Sequence, residues 1–346
     1  KSATSSPPPK LTTKFPSNVD GNMGNAQGNR VRITAQLIDA ASGNHLWADR
    51  FDSSLDDVFD LQDQITEQIV VAVEPEIEAR ERERARRKPP ESLDAWELVQ
   101  RGLSHLYRAN KSANDEALRL FGEAVALDPE FATAHAHLSY ALWNSVALGY
   151  TEDRAKATAS MRAAAEQAVS LDPNDPLAHV ALGRLHIYSG EIEMAVGEMQ
   201  TAIAINPNFA WGHYGLGVAY DYGAGQAEQA LPHYDTALRL SPRDPRRWLP
   251  LLMKGCALRF LGHHDEAIAN CRQACQLPDS GFLPQINLAA ALAEAGQISE
   301  AQATIVKAMQ LQPALSISFL RSNYIGMHET YSKSLFDSLR KAGVPE

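Results

Sequence analysis

The chain has 346 residues, 45% of them hydrophobic, with 32 lysines and arginines against 42 aspartates and glutamates, for a formal net charge of -10. That is enough chain for two or three ordinary domains or one long array, and an acidic chain without a large basic block is a poor partner for nucleic acid or an anionic membrane surface. No apolar run approaches the roughly 18 residues of a membrane span, and an odd number of closely spaced cysteines (Cys256, Cys271 and Cys275) fits a reducing compartment better than a disulfide framework.

Taken in chain order, residues 1–29 are of low complexity. Pro7-Pro8-Pro9 favours polyproline II, and no periodic apolar face is present, so the segment reads as an extended tail or linker. A chain that starts at Lys1 rather than Met, with no signal peptide, reads as a fragment or a processed product. In residues 30–52 the pattern alternates, with Val31, Ile33, Ala35 and Leu37 on one side; "ASGN" then marks a turn and "HLWADRFD" a second strand. A helix follows, capped by Ser54, with the stripe Val58, Leu61, Ile65, Ile69, Val73 and Ile77 and a kink at Pro75. The alternating Arg and Glu of residues 79–90 read as its solvated end.

From about residue 91 the chain repeats itself. Pro173, Pro207 and Pro242 recur every 34 or 35 residues, as do Pro278 and Pro313, and most follow phrases such as "AVSLDP" and "AIAINP". Proline stops a helix because it lacks an N–H and clashes with the preceding turn. A period of this size signals a solenoid, and the residues match the tetratricopeptide pattern. One copy supplies Leu182, Gly183, His186, Ala195, Met199, Ala202 and Pro207; the next supplies Leu216, Gly217, Tyr220, Ala230, Tyr234, Ala237 and Pro242. Copies ending at Pro129, Pro173, Pro278 and Pro313 make about six helix pairs over 91–314, the one ending at Pro173 carrying a loop insertion near "LGYTED". Residues 315–346 do not repeat. Their helix, with Tyr331, Leu335, Phe336 and Leu339, reads as a terminal cap over the last apolar face.

No constellation for catalysis emerges: the phosphate-binding G-x-x-x-x-G-K-[ST], the zinc motif H-E-x-x-H and the G-x-S-x-G elbow are all absent. No cofactor and no metal are expected. His263 and His264 near Cys271 and Cys275 make a metal site conceivable, but packing between helices is the favoured reading of those thiols. His179, His186, His213 and His233 read as packing or surface residues.

The informative surface is the concave groove lined by the first helix of each pair. The repeat register places there Trp96, Tyr107, Tyr140, Trp143, Arg184, Tyr188, Trp211, Tyr214, Tyr222, Arg259 and Phe260, with Asp221 beside Tyr222. Aromatics and arginine are the usual anchors of protein interfaces, so this groove suits a peptide or a helix. The tail, through Leu11, Phe15 and Pro16, is a candidate occupant of its own or a neighbour's groove.

"GNRVRITAQLIDAASGNHLWADRFDSSLDDVFDLQDQIT", followed by "ERARRKPPESLDAWELVQRGLSHLYR", "HYGLGVAYDYG" and "LRLSPRDPRRW", resembles the TolB-like segment and repeats at the end of bacterial class III adenylate/guanylate cyclases. The resemblance covers about residues 28–346. It implies a cytoplasmic bacterial protein (or an extracellular one, if processing made its N-terminus) in which a cyclase or DNA-binding domain precedes a TolB-like domain, here truncated over 30–90. None of the cyclase's catalytic residues has a counterpart in this sequence. The reading is therefore a mainly α, right-handed tetratricopeptide solenoid with a small β-hairpin and helix remnant. Its expected function is non-catalytic protein–protein interaction, as the regulatory arm of a signalling protein. The alternatives are a self-assembling structural protein that pairs through its tail and an open strand edge, and the non-catalytic end of a nucleotide cyclase.

Overall fold

The computed structural model describes the backbone of residues 10–14, 30–38 and 45–54, and residues 82, 94–324 and 326–346 in full. The turn at 41–44 and the helix expected over 54–77 lie outside the described residues. The chain divides into two compact units, Lys1–Arg80 and Glu81–Glu346.

In the first unit, β1 (Lys10–Lys14), β2 (Arg30–Ile38) and β3 (His45–Ser54) form an antiparallel sheet in the order β1-β2-β3. The hairpin expected from the alternating pattern is β2 with β3, in the register Ile33 opposite Phe51 and Leu37 opposite Trp47, with an irregularity between Leu37 and Ile38. The short run "KLTTK" in the low-complexity tail pairs with β2 along its other edge, Leu11 opposite Leu37. Two successive threonines favour the extended state. One edge of the hairpin, that of β2, is thus paired within the chain.

The second unit is a solenoid of six helix pairs: α1 (Ala95–Leu106) with α2 (Lys111–Leu127), α3 (Ala132–Ala147) with α4 (Arg154–Leu171), α5 (Pro176–Ser189) with α6 (Ile192–Ile205), α7 (Ala210–Val218) with α8 (Ala227–Leu240), α9 (Trp248–Phe260) with α10 (His264–Gln276), and α11 (Leu283–Glu294) with α12 (Ile298–Leu311). Then come α13 (Ile317–Asn323) and α14 (Glu329–Lys341). Every second helix ends where the prolines require. The cap residues Asp128, Asp172, Asn206 and Gln312 each precede a proline and adopt φ between -134° and -140° with ψ between 89° and 98°. A following proline excludes the helical region at the residue before it.

Within each pair a small residue admits a large one from the partner helix. A Cβ on Gly102 would lie 2.4 Å from the Phe121 ring, on Gly217 2.6 Å from Tyr234, and on Gly183 2.7 Å from Met199. Phe121, Met199 and Tyr234 are fully buried. The core is a chain of overlapping apolar clusters, each shared between successive pairs, as expected of a stacked array. At the end, Leu335, Leu339, Ala342 and Val344 join the cluster built on α11 and α12, and Ile317 N–H donates to Pro345 O at 2.7 Å. Among the described residues no helix is long and apolar enough to cross a membrane.

Candidate functional site

The first helices of pairs 2 to 4 gather aromatic rings around Arg184. Its guanidinium carbon stands 4.0 Å from the Tyr140 ring centre, 5.3 Å from Trp143, 5.7 Å from Tyr214 and 5.8 Å from Trp211. A second arginine enters from the α8–α9 turn: Arg246 lies 3.9 Å from Trp211, 4.5 Å from Tyr107 and 6.0 Å from Tyr140. Asp244 orients this pair, accepting the Trp211 indole N–H at 3.1 Å and the Arg246 backbone N–H at 2.6 Å. Each desolvated cation–π contact contributes up to about 2 kcal/mol. Burial, reinforced by Arg246, holds His137 behind this cluster down at about 3, so its ring is neutral at physiological pH. Burial raises the Tyr214 hydroxyl, keeping it protonated.

Past Val218 the fourth pair departs from the others. From Gly183 to Ala195 is twelve residues, but from Gly217 to Ala230 is thirteen. The extra residue is absorbed as a π-turn over Ala219–Gly223, in which Ala224 N–H donates to Ala219 O at 3.0 Å. The wider turn carries Asp221 inward to complete burial. Tyr234 donates its hydroxyl to Asp221 Oδ2 at 3.3 Å. Burial raises this carboxyl to about 7, against the opposing effects of Tyr331, Tyr234 and Arg259.

The other half of the channel is filled by the chain's own C-terminal segment. From the α3–α4 loop side, Arg154 donates to Ser322 O and Asn323 Oδ1, while also donating to Val146 O at 2.8 Å. Tyr324 packs on Tyr222 with ring centres 6.4 Å apart, His328 N–H donates to Tyr222 O at 2.8 Å, and Tyr331 stacks on Phe260 at 3.8 Å. Arg259, 3% exposed, donates to Glu294 at 2.5 Å and to Ser334 Oγ at 3.0 Å. Across the mouth, Ala109 N–H in the α1–α2 turn donates to Asp279 O before α11 at 3.3 Å. The groove is therefore bridged at its mouth and partly filled by the chain itself. Between the arginine–aromatic cluster and the C-terminal strap lies a cavity of about 120 Å³, walled among others by Trp143, Arg184, Tyr214, Asp221, Met253 and Tyr324.

Of the residues that the repeat register assigns to the groove, Tyr107, Tyr140, Trp143, Arg184, Trp211 and Tyr214 meet in the arginine cluster. Tyr188 lines the cavity, and Tyr222, Arg259 and Phe260 touch the strap. Trp96 stands apart: it is 46% exposed and packs on Phe131, ring centres 6.3 Å apart. Sequence reasoning missed Arg246, which no helical register reaches, and the inward role of Tyr324. It also missed a signal that is plain once seen, proline followed six residues later by histidine. His135, His179 and His213 each place Nε2 at 2.9 to 3.0 Å from the carbonyl of Pro129, Pro173 and Pro207, clamping three inter-repeat turns. Among the described residues no group of three or more His, Cys, Asp or Glu is placed to hold a metal. Cys271 packs where a Cβ on Gly255 would lie at 2.5 Å, and Cys256 Sγ donates to Asn287 Oδ1 at 3.1 Å.

A tetratricopeptide-repeat family model matches residues 250–279, which hold α9 and α10. The chain contains tetratricopeptide repeats. Over 161 residues it is 34% identical to "Putative adenylate cyclase 3" of Rhizobium meliloti (strain 1021), an alignment covering 44% of this chain and 26% of that protein. The tetratricopeptide chain thus spans about a quarter of that relative's length. In fold it is similar to the APC/C hetero-tetramer Cut9-Hcn1, at 19% identity and a TM-score of 0.52, covering 68% of this chain and 43% of that one. It is likewise similar to the human IFIT1 dimer with m7Gppp-AAAA, at 17% identity and a TM-score of 0.54, covering 64% and 51% respectively. At these identities the likeness is one of fold.

Proposed function

We propose that the solenoid is a non-catalytic protein–protein interaction scaffold whose concave channel takes an apolar segment bearing spaced aromatic side chains. The observation that carries this reading is the channel's own occupant. Tyr324 and Met327, from the link between α13 and α14, line the cavity together with Tyr331 and Leu335 of α14. A partner segment presenting similar side chains would find the same walls: Tyr222, Phe260 and the apolar side of α9. The arginine–aromatic cluster adds anchors of the kind that dominate interface energetics, and a preformed channel lowers the ordering cost on its own side.

A second reading has its own support. The 34% identity with a protein named as an adenylate cyclase favours these repeats as the regulatory arm of a cyclase-type signalling protein. In that arrangement residues 30–90 are its truncated TolB-like segment.

Selection of phage-displayed 16-residue peptides on the immobilised chain tests the scaffold reading. Enriched peptides should carry aromatics three or four residues apart, and Phe260→Ala should weaken them at least about tenfold, the cost of losing one interface anchor. Failure to enrich any sequence, or equal binding to the variant, would remove the channel as the partner site.

A further inference from the structure

We propose that the cavity behind the strap is a binding site for a small apolar monocarboxylate, an aromatic acid of about the size of benzoate, held by Arg184. The inference does not depend on the scaffold reading.

Its first support is a charge without a counter-charge. Arg184 is 8% exposed, and its Nη1 has no hydrogen-bond partner. Among the described residues no carboxylate pairs with it, and its neighbours are the four rings of Tyr140, Trp143, Tyr214 and Trp211. Guanidinium cannot lose its proton and offers only donors, so a buried one left short of acceptors is costly. Ring faces offset part of that cost but supply no acceptor in the guanidinium plane. A carboxylate does, and matches the fork bidentately.

The second support is the chamber the guanidinium lines. Its volume of about 120 Å³ is near that of engineered apolar cavities of about 150 Å³ that bind benzene, so one ring or a short alkyl chain fits and a larger ligand does not. Most of the walls are apolar, Leu252, Met253 and Val218 among them. A second buried donor on the wall, Arg259 Nε, also lacks a partner. The one carboxyl on the wall, Asp221, is held largely protonated below about pH 7 and then does not repel an anion. A wall of mostly apolar side chains with a few convergent polar groups is the usual make-up of a small-molecule site.

The test is thermal shift and Trp fluorescence on the full chain at pH 6.5, with benzoate, phenylacetate and hexanoate as probes and benzyl alcohol and inorganic phosphate as controls. At ten times its Kd a monocarboxylate should raise Tm by about 3 °C and quench Trp143, while both controls leave the protein unchanged. Arg184→Gln should weaken the carboxylate at least about tenfold. If that variant does not fold, Ala147→Phe fills the chamber from the α3 wall and should abolish the response without altering any charge. No shift with any of the three acids at 10 mM overturns the proposal. So does an equal shift with phosphate, which would mean a bare anion site, or with benzyl alcohol, which would mean an apolar cavity only. Undiminished binding to Ala147→Phe would place the acid elsewhere and overturns it too.

Discussion

Gly326→Ala tests whether the C-terminal strap is seated in the channel as described. Gly326 has φ +80°, and a Cβ there would lie 2.3 Å from the carbonyl oxygen of Ile187, 3.2 Å from its carbonyl carbon and 3.4 Å from Tyr188 Cα. These are backbone atoms of α5, locked in a helix packed on both sides, so they cannot yield as a side chain would. The left-handed conformation alone costs a non-glycine residue about 1 kcal/mol. Gly262, at φ +82° with nothing within 4 Å, isolates that cost. Gly262→Ala should therefore lower Tm by about 2–4 °C. Gly326→Ala adds an overlap of about 1 Å against fixed atoms, of the order of 2–3 kcal/mol, unless the strap leaves its seat. Leaving gives up the Tyr331–Phe260 stack and the His328 hydrogen bond, and loosens the helices that now hold the exposed Arg321 and Lys333 in a form trypsin does not cut. The variant should thus melt at least about 5 °C below Gly262→Ala or be cut rapidly at Arg321 in α13 or Lys333 in α14. If the two variants melt together and resist trypsin equally, the strap does not pass Ile187 as closely as the structure places it.

Three further outcomes are expected. The unfolded chain loses the Asp221 proton near pH 3.8 and the native state holds it to about 7, so stability falls as pH rises through that window, by up to about 4 kcal/mol; the urea stability of Asp221→Asn minus that of the parent should grow from pH 4.5 to 8, and a flat difference would refute the assignment. His137 acts oppositely below pH 6.5 but is common to both proteins and drops out. Burial pushes Cys256 up to about 12, Cys275 to about 11 and Cys271 well above the usual thiol range, so iodoacetamide at pH 8 should label none of them in the native protein within an hour and all three in urea, read by intact mass. Arg259→Met deprives the half-buried Glu294 of its guanidinium, costing about 2–3 kcal/mol in chemical denaturation; a loss below about 1 kcal/mol would mean the pair is solvated.

The repeats were legible because their determinants are local. A proline dictates its neighbour's φ and ψ and recurs at a near-constant interval, and Gly102, Gly183 and Gly217 each sit opposite a large residue of the next helix, Phe121, Met199 and Tyr234, so the pattern places the six pairs. The apolar stripe of α14 was legible for the same reason: Tyr331, Leu335, Phe336 and Leu339 are all buried. What escaped the sequence is whatever depends on distant segments meeting. Arg246 lies in a turn with no period, and only the curvature of the stack brings it over Tyr107. The π-turn leaves a one-residue trace in the spacing of the fourth pair, but which side chain it turns inward follows from packing. Tyr331 reads as part of a cap and yet also lines the channel with Tyr324, since an apolar face does not say which surface it covers.

That last ambiguity bears on how a partner would enter. A solenoid whose repeats touch only their neighbours keeps its groove open. Here Ala109 meets Asp279, and the strap runs past α5, the π-turn and α9, so the channel is held shut from both sides. An intramolecular segment competes at an effective concentration of the order of millimolar. A partner making only the strap's own contacts would then have to be supplied at similar concentration to displace half of it. Binding at ordinary cellular levels requires contacts the strap does not make, and the part of the channel it leaves free is the cluster around Arg184 and Arg246. If a partner enters the channel as proposed, its selectivity is therefore expected to reside there, in contacts with the arginine–aromatic cluster that the strap does not make.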